Sequence, residues 1–225
     1  MLTVSTSGKM KDVPPAKMTR ATYHHGDLAN ALTVAATQLA RDGGPEAVVL
    51  REAARTVGVS ATAAYRHFAG HGDLIHAVKD NAQEALAESM RAGLTTSEPS
   101  NDPAGEALRQ LYAIGIGYLR FALAEPGLFR TAFCRADKGS EEQAAERAAS
   151  PAYQLLSETL DRLVSAGLLP PERRPYAEIF AWSCTHGLAT LIVDGPLSNL
   201  PDDERDAAIQ RCLDGVVHGL IGGYR

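Results

Sequence analysis

The sequence predicts an all-α protein: an N-terminal three-helix unit that ends in a helix-turn-helix, followed by a larger C-terminal helical unit. Two observations carry this. Apolar residues recur at helical spacing in every periodic stretch, and no stretch shows the alternation or the β-branched, aromatic bias of a strand. A third places the division: the sequence AGHGD, just after residue 68, interrupts the pattern and a longer helix follows it.

Residues 1–20 mix Ser, Thr, Pro and Gly with Lys9, Lys11, Lys17 and Arg20 and show no periodicity. They read as a flexible basic arm or as an untidy terminus without a role. In YHHGDLANALTVAATQLARDGG, Leu28, Leu32, Ala35, Ala36 and Leu39 fall on one helical face. A helix is therefore expected from near Asp27 to the Gly43-Gly44 break, after which Pro45 opens a short connection.

The stretch LREAARTVGVSATAAYRHF, residues 50–68, has the most specific geometry in the chain. Leu50–Val57 is a short helical pattern, Gly58-Val59 a break, and Ser60 fits the N-cap of a second short helix running to about His67, because its hydroxyl can accept an early backbone N–H. Gly58 stands where the chain must turn sharply, a place for a residue that takes positive φ without steric cost. Ala53 and Ala54 on one helix and Ala63 and Ala64 on the other are small enough for a close crossing. This is helix-turn-helix geometry, whose second helix enters the DNA major groove.

Asp73 is expected to cap a connecting helix over 73–92 with Leu74, Val78, Ala82, Ala85 and Met90 on one face, and 93–103 to be a loop. Five more helices are expected: 104–124, 128 to about 135, 140–166, 173–194, and a last one capped by Asp202 or Asp203. Ile209, Leu213, Val216, Val217 and Leu220 form the apolar face of the last. The domain division is 1–20 (arm), 21–71 (helix-turn-helix) and 72–225 (C-terminal domain).

Net charge is −5, but residues 1–80 carry +2 and the remainder −7, and five of the seven histidines lie in that first part. A nucleic-acid surface therefore belongs to the N-terminal third. The longest apolar runs, such as 188–193, fall far short of the roughly 18–20 residues of a membrane span. The N-terminus carries no apolar signal segment, so a cytoplasmic protein is expected, with no membrane partner. Cys134, Cys184 and Cys212, with no CxxC, read as buried thiols. No GxSxG, GxxxxGK[ST] or HExxH occurs, and neither catalytic residues nor a cofactor are assigned. His24, His25 and Asp27, or His67 and His71 at i, i+4, have the residue types of metal ligands; phosphate contact or plain surface is the preferred reading, because Ala69-Gly70 should break the helix between the second pair. No metal site is assigned.

YHHGDL, LREAA, GVS and AYRHF together resemble the DNA-binding domain of the tetracycline-repressor (TetR/AcrR) family over roughly residues 22–75. Trp182, His186 and Gly187 in WSCTHGLATLIVDG resemble the Trp-His-Gly pattern of one C-terminal subgroup. The resemblance implies a homodimer that binds a palindromic double-stranded operator, usually represses, and is released by a small-molecule effector. Carried over by position, Arg51 reaches a base edge, as its fork can bond guanine O6 and N7 together. Ser60 opens the second helix, Ala61, Thr62 and Arg66 face the groove, and Tyr65 and His67 bond phosphates. His71 stands where the family usually has a phosphate-holding lysine; mostly neutral at pH 7, it should contact phosphate more weakly.

For the effector, Leu111, Gly115, Tyr118, Phe121, Phe129, Phe133, Trp182 and His186 are the candidate walls, with an ordinary aromatic core as the alternative. Gly115 and Gly117 each cost a helix roughly 1 kcal/mol relative to alanine, so either close helix packing or space for a ligand should compensate. For the dimer, the last two helices are the candidates, through Gly187, Leu191, Leu213, Val216, Val217 and Leu220; the alternative is that they only complete the monomer core. An all-helical enzyme or small-molecule carrier without a DNA role is the competing function.

Overall fold

The computed structural model describes residues 25–96, 99–134 and 140–222. The arm over 1–20, and the side chains of His24, His25 and Asp27, lie outside what it describes. Among the described residues ten α-helices run in chain order: α1 (His25–Gly43), α2 (Leu50–Val57), α3 (Ala61–Ala64), α4 (His71–Thr96), α5 (Pro103–Ala124), α6 (Pro126–Phe133), α7 (Ser140–Ala149), α8 (Pro151–Ser165), α9 (Ala177–Val193) and α10 (Asp202–Ile221). Among the described residues there is no strand, and no helix is long and apolar enough to cross a membrane.

The first three helices pack through Leu32, Ala36, Ala53, Ala54 and Ala64, all buried. Gly58 ends α2 in the left-handed region at φ 79°. There the Val59 N–H bonds to the Ala54 carbonyl and the Gly58 N–H to that of Arg55, the paired bonds of a Schellman turn. The Ser60 hydroxyl accepts the Ala63 N–H at 3.2 Å, the N-cap expected from its type and place. α3 itself is one turn long; its end tightens through Arg66 N–H to Ala63 and His67 N–H to Ala64, so residues 65–67 form a turn and not the helical continuation expected.

Several boundaries shift for local reasons. α4 starts at His71, and Asp73, already inside it, accepts the Ala69 N–H at 3.0 Å instead of capping the first turn. Its far end reaches Thr96. The expected helix over 140–166 is two: Pro151 has no N–H to donate and holds Ser150 extended, so α7 stops before it and α8 begins anew. α9 starts at Ala177, later than expected, with Tyr176 at φ 65° as its N-cap.

α4 is the shared beam. Its first turns, through Leu74 and Val78, close the core of the helix-turn-helix unit, and its later turns lie along α5. The α4–α5 crossing is close enough to need glycine on both sides. A Cβ on Gly93 would sit 2.3 Å from the Ala113 carbonyl oxygen, and one on Gly117 would sit 2.4 Å from that of Ser89. The Ser89 hydroxyl donates to the Gly117 carbonyl at 2.8 Å, pinning the register. For Gly117, close packing is thus the compensation. Around α5 stand α6, α8, α9 and α10, and one continuous apolar core joins them to the N-terminal unit.

Candidate functional site

Two separate places collect the chemistry. The first is the α2–α3 face. Arg51, Ser60, Thr62, Tyr65, Arg66 and His71 are exposed there, with Ala61 and His67 half-buried. Ala64 points inward and fixes the roll of α3, so Thr62, Tyr65 and Arg66 share the outer side. Arg55 is held by Glu52 at 2.8 Å. None of the eight residues expected on this face is fully buried. Between His67 and His71 the chain leaves the helix, so the i, i+4 geometry of a helical metal pair is not formed.

The second is a cavity of about 810 Å³ enclosed by α4, α5, α6, α7, α8, α9 and α10, inside the range of roughly 300–1,000 Å³ typical of small-molecule sites. Of the expected wall residues, Leu111, Gly115, Tyr118, Phe133 and Trp182 line it. Phe121 does not: it falls one turn farther along α5 and is buried in helix packing. Phe129 and His186 form a second layer. The Phe133 ring stands between them and the space, with centroids 5.3 Å from Phe129 and 4.6 Å from His186. Gly115 satisfies both readings offered for it, since it lines the cavity and a Cβ there would meet Leu213 Cδ2 at 2.6 Å.

The Trp-His spacing has a concrete result. Trp182 Nε1 donates to Tyr118 Oη at 3.3 Å, and that hydroxyl lies 2.8 Å from His186 Nδ1. An indole N–H can only donate, so the hydroxyl accepts there; its bond with His186 Nδ1 runs in the direction that the imidazole tautomer sets. Burial holds the Tyr118 phenol above its ordinary range and pushes the His186 imidazole below its own. A histidine whose folded pKa is depressed gives stability that is complete above its unfolded value and lost as pH falls through it, since the unfolded chain binds the proton more readily. Melting temperature should therefore drop between about pH 7 and 5, and more steeply in the native chain than in His186→Gln. Parallel profiles would show that His186 does not carry the dependence.

The structure moves four residues expected at a dimer interface. Leu213, Val216, Val217 and Leu220 are buried inside the chain, and the first three line the cavity. α10 turns its apolar face to α5 and α9 because that is where uncovered apolar surface lies within the monomer. The other two, Gly187 and Leu191, remain outward: a Cβ on Gly187 would meet nothing within 4 Å, and Leu191 is 43% exposed. They share a side of α9 with Ile179 and Phe180, the latter seated over Gly219 of α10.

Sequence reasoning missed the α4 and α8 contributions to the cavity: Lys79, Gln83, Leu86 and Met90 on one, Tyr153 and Leu156 on the other. On α4 these recur at three- and four-residue steps, a stripe visible in the sequence but indistinguishable there from core. The link between the two places was also missed. Gly127 at the start of α6 packs directly on the end of α1, and Arg41 meets Glu125 at 2.7 Å. At the other end of α6, Gln83 and Lys79 hold the carbonyls of Ala132 and Cys134. Arg130, between them, pairs with Asp194 beyond α9 at 2.6 Å.

Residues 32–78 match the family model described as bacterial regulatory proteins, tetR family, and residues 111–216 match the tetracyclin repressor-like C-terminal domain. Among solved structures, the chain is similar to a protein of unknown function from Rhodococcus sp. RHA1, at 25% identity over 89% of this chain and 98% of that one, TM-score 0.69. It shares its fold with a TetR family transcription regulator from Marinobacter aquaeolei VT8, at 19% identity, 83% and 94% coverage and TM-score 0.57. MexZ of Pseudomonas aeruginosa, a repressor responsible for antibiotic resistance, aligns at 19% identity, 84% and 94% coverage and TM-score 0.52. No curated relative matches by sequence.

Proposed function

Because the chain belongs to the tetracycline-repressor family of DNA-binding transcription regulators, we propose that it is a repressor that binds a palindromic operator as a homodimer and is released by a small molecule entering the cavity. One observation carries the reading. The helix whose first turns complete the helix-turn-helix core, α4, also supplies Gln83, Leu86 and Met90 to the cavity wall. A ligand acts only through a difference in its affinity for two conformations, and here an occupant would touch the element that sets the position of α2 and α3. α6 gives a second route, from Ala132 and Phe133 on the wall to Gly127 against α1.

On the operator, Arg51 and Arg66 carry most of the sequence reading, since Ala61 offers a base edge only a methyl group; Thr62 adds a hydroxyl. Tyr65, His67 and His71 set register on phosphates, and the α3 N-terminus behind Ser60 faces the backbone. The homodimer joins through the outward side of α9, along Ile179, Phe180, Gly187 and Leu191, with Gly215 of α10 open beside it.

The test is fluorescence anisotropy of the chain on DNA from its own upstream region. A dimer on phosphates should lose affinity steeply with salt, log K falling by about 0.9 per log unit for each phosphate neutralised; a carrier or enzyme without a DNA role would give a flat response. Arg51→Ala should cost about 1–3 kcal/mol on the cognate sequence and little on scrambled DNA. Equal loss on both would reassign Arg51 to phosphate.

A further inference from the structure

We propose that the cavity takes an organic cation: an apolar body that lies against rings, carrying a positive charge with no compensating acid of its own. This rests on the reading of the cavity as the effector site. Three features of the wall point the same way.

The inner surface is built of rings and aliphatic groups. Tyr112, Tyr118, Phe133, Tyr153 and Trp182 come from four different helices to one space, with Trp182 5.9 Å from Phe133 and 6.4 Å from Tyr153 between centroids. Ring faces carry partial negative charge and attract cations, most strongly where water is excluded.

Four of the donors among them give their protons to the protein and not to the cavity. Tyr112 donates to Asp214, Trp182 to Tyr118, Ser150 to the Gln83 side-chain oxygen at 2.8 Å, and Thr185 to the Ala181 carbonyl at 2.9 Å. Tyr118 is committed to His186. What these side chains still present to an occupant is lone pairs. A ligand that donates hydrogen bonds or carries positive charge would find several acceptors among them.

The third feature is the charge at the mouth. Asp80, Glu84, Glu142 and Glu146 border the cavity with Lys79, Arg147 and His76, whose ring lies 3.6 Å from Asp80 and 3.4 Å from Glu146. Lys79 is already engaged by the Cys134 carbonyl at 3.2 Å, and Glu84 holds Arg91 at 2.8 Å. The balance on the wall is negative, and a charged opening with low-dielectric walls concentrates ions of the opposite sign.

Tetraphenylphosphonium and tetraphenylborate have the same shape and size and opposite charge, which isolates this property. Trp182 is the chain's one tryptophan, so its fluorescence reports occupancy of the cavity directly. In titrations of the full chain, the phosphonium should perturb Trp182 and bind at least about tenfold more tightly than the borate, the size of one desolvated cation–π contact. Asp80→Asn combined with Glu84→Gln should narrow that preference without moving the thermal melt, since both carboxylates are exposed. Equal or tighter binding of the borate, or no change at Trp182 with either ion, overturns the proposal. Anisotropy of the upstream DNA in the same titration separates it from the effector reading. Phosphonium bound in the cavity with DNA affinity unchanged defeats that reading and leaves the ligand class standing; release by the borate alone does the reverse.

Discussion

Gly127→Val is expected to weaken operator binding by tenfold or more, on the order of 1.4 kcal/mol. A Cβ at this position would lie 2.3 Å from the Ala40 carbonyl oxygen and 2.4 Å from that of Arg41. Both are backbone atoms in the last turn of α1, and backbone cannot step aside as a side-chain tip can. Overpacking a contact of this kind costs roughly 1–3 kcal/mol, and the least expensive relief is for α6 to lift away from α1. That displaces the helix-turn-helix unit relative to the rest of the chain, the coordinate on which the proposed release from the operator runs. The melting temperature should fall by several degrees, given about 2–4 °C per kcal/mol for a chain of this size. Arg41→Ala, which removes the half-exposed pair with Glu125 and an exposed bond to Gln38, should cost under about 1 kcal/mol. Unchanged melting and unchanged operator affinity in Gly127→Val would mean that the α1–α6 contact neither stores nor transmits anything.

Phe180→Glu combined with Leu191→Glu should convert a dimer into a monomer and with it abolish operator binding at concentrations where the native chain is saturated. The two side chains are 40% and 43% exposed in the single chain, so the introduced charges stay in water and the protomer should melt normally. In a two-fold interface each change is present twice, and buried interface anchors are worth about 2 kcal/mol or more apiece. The dimer constant should therefore weaken by at least about a thousandfold, readable by light scattering behind a sizing column. Leu213→Ala is the contrasting case: 3% exposed and facing the cavity, it should cost about 2–5 kcal/mol of stability and leave the oligomeric state alone. A double variant that remains dimeric would move the interface off α9.

The two variants also mark where the sequence stopped being informative. Leu213, Val216, Val217 and Leu220 are plainly one apolar face from their spacing, but the spacing is the same whether that face meets the chain's own α5 or a second copy. Phe121 and Phe133 show the same limit. Both are aromatic residues near Gly115 and Gly117, and only the neighbouring helices decide that Phe133 lines the cavity while Phe121 is packing. Trp182 and His186 were singled out by their one-turn spacing; that the hydroxyl joining them belongs to Tyr118, sixty-eight residues before His186, is invisible along the chain.

What the sequence determined by itself is what local physics determines. The Ser60 cap and the turn at Gly58 depend on bonds between residues at most a few positions apart, and the break at Pro151 on a backbone N–H that proline lacks. The all-helical class follows from the period of the apolar residues, and the helix-turn-helix from the identities packed into 50–68. The tertiary structure decided the rest: which apolar faces cover one another, the glycine contacts of α4 on α5 and of α6 on α1, and the space left among seven helices. Those outcomes depend on shape complementarity between distant segments. A helix carries its apolar face in its sequence, but its partner is selected only when all the faces compete for cover at once.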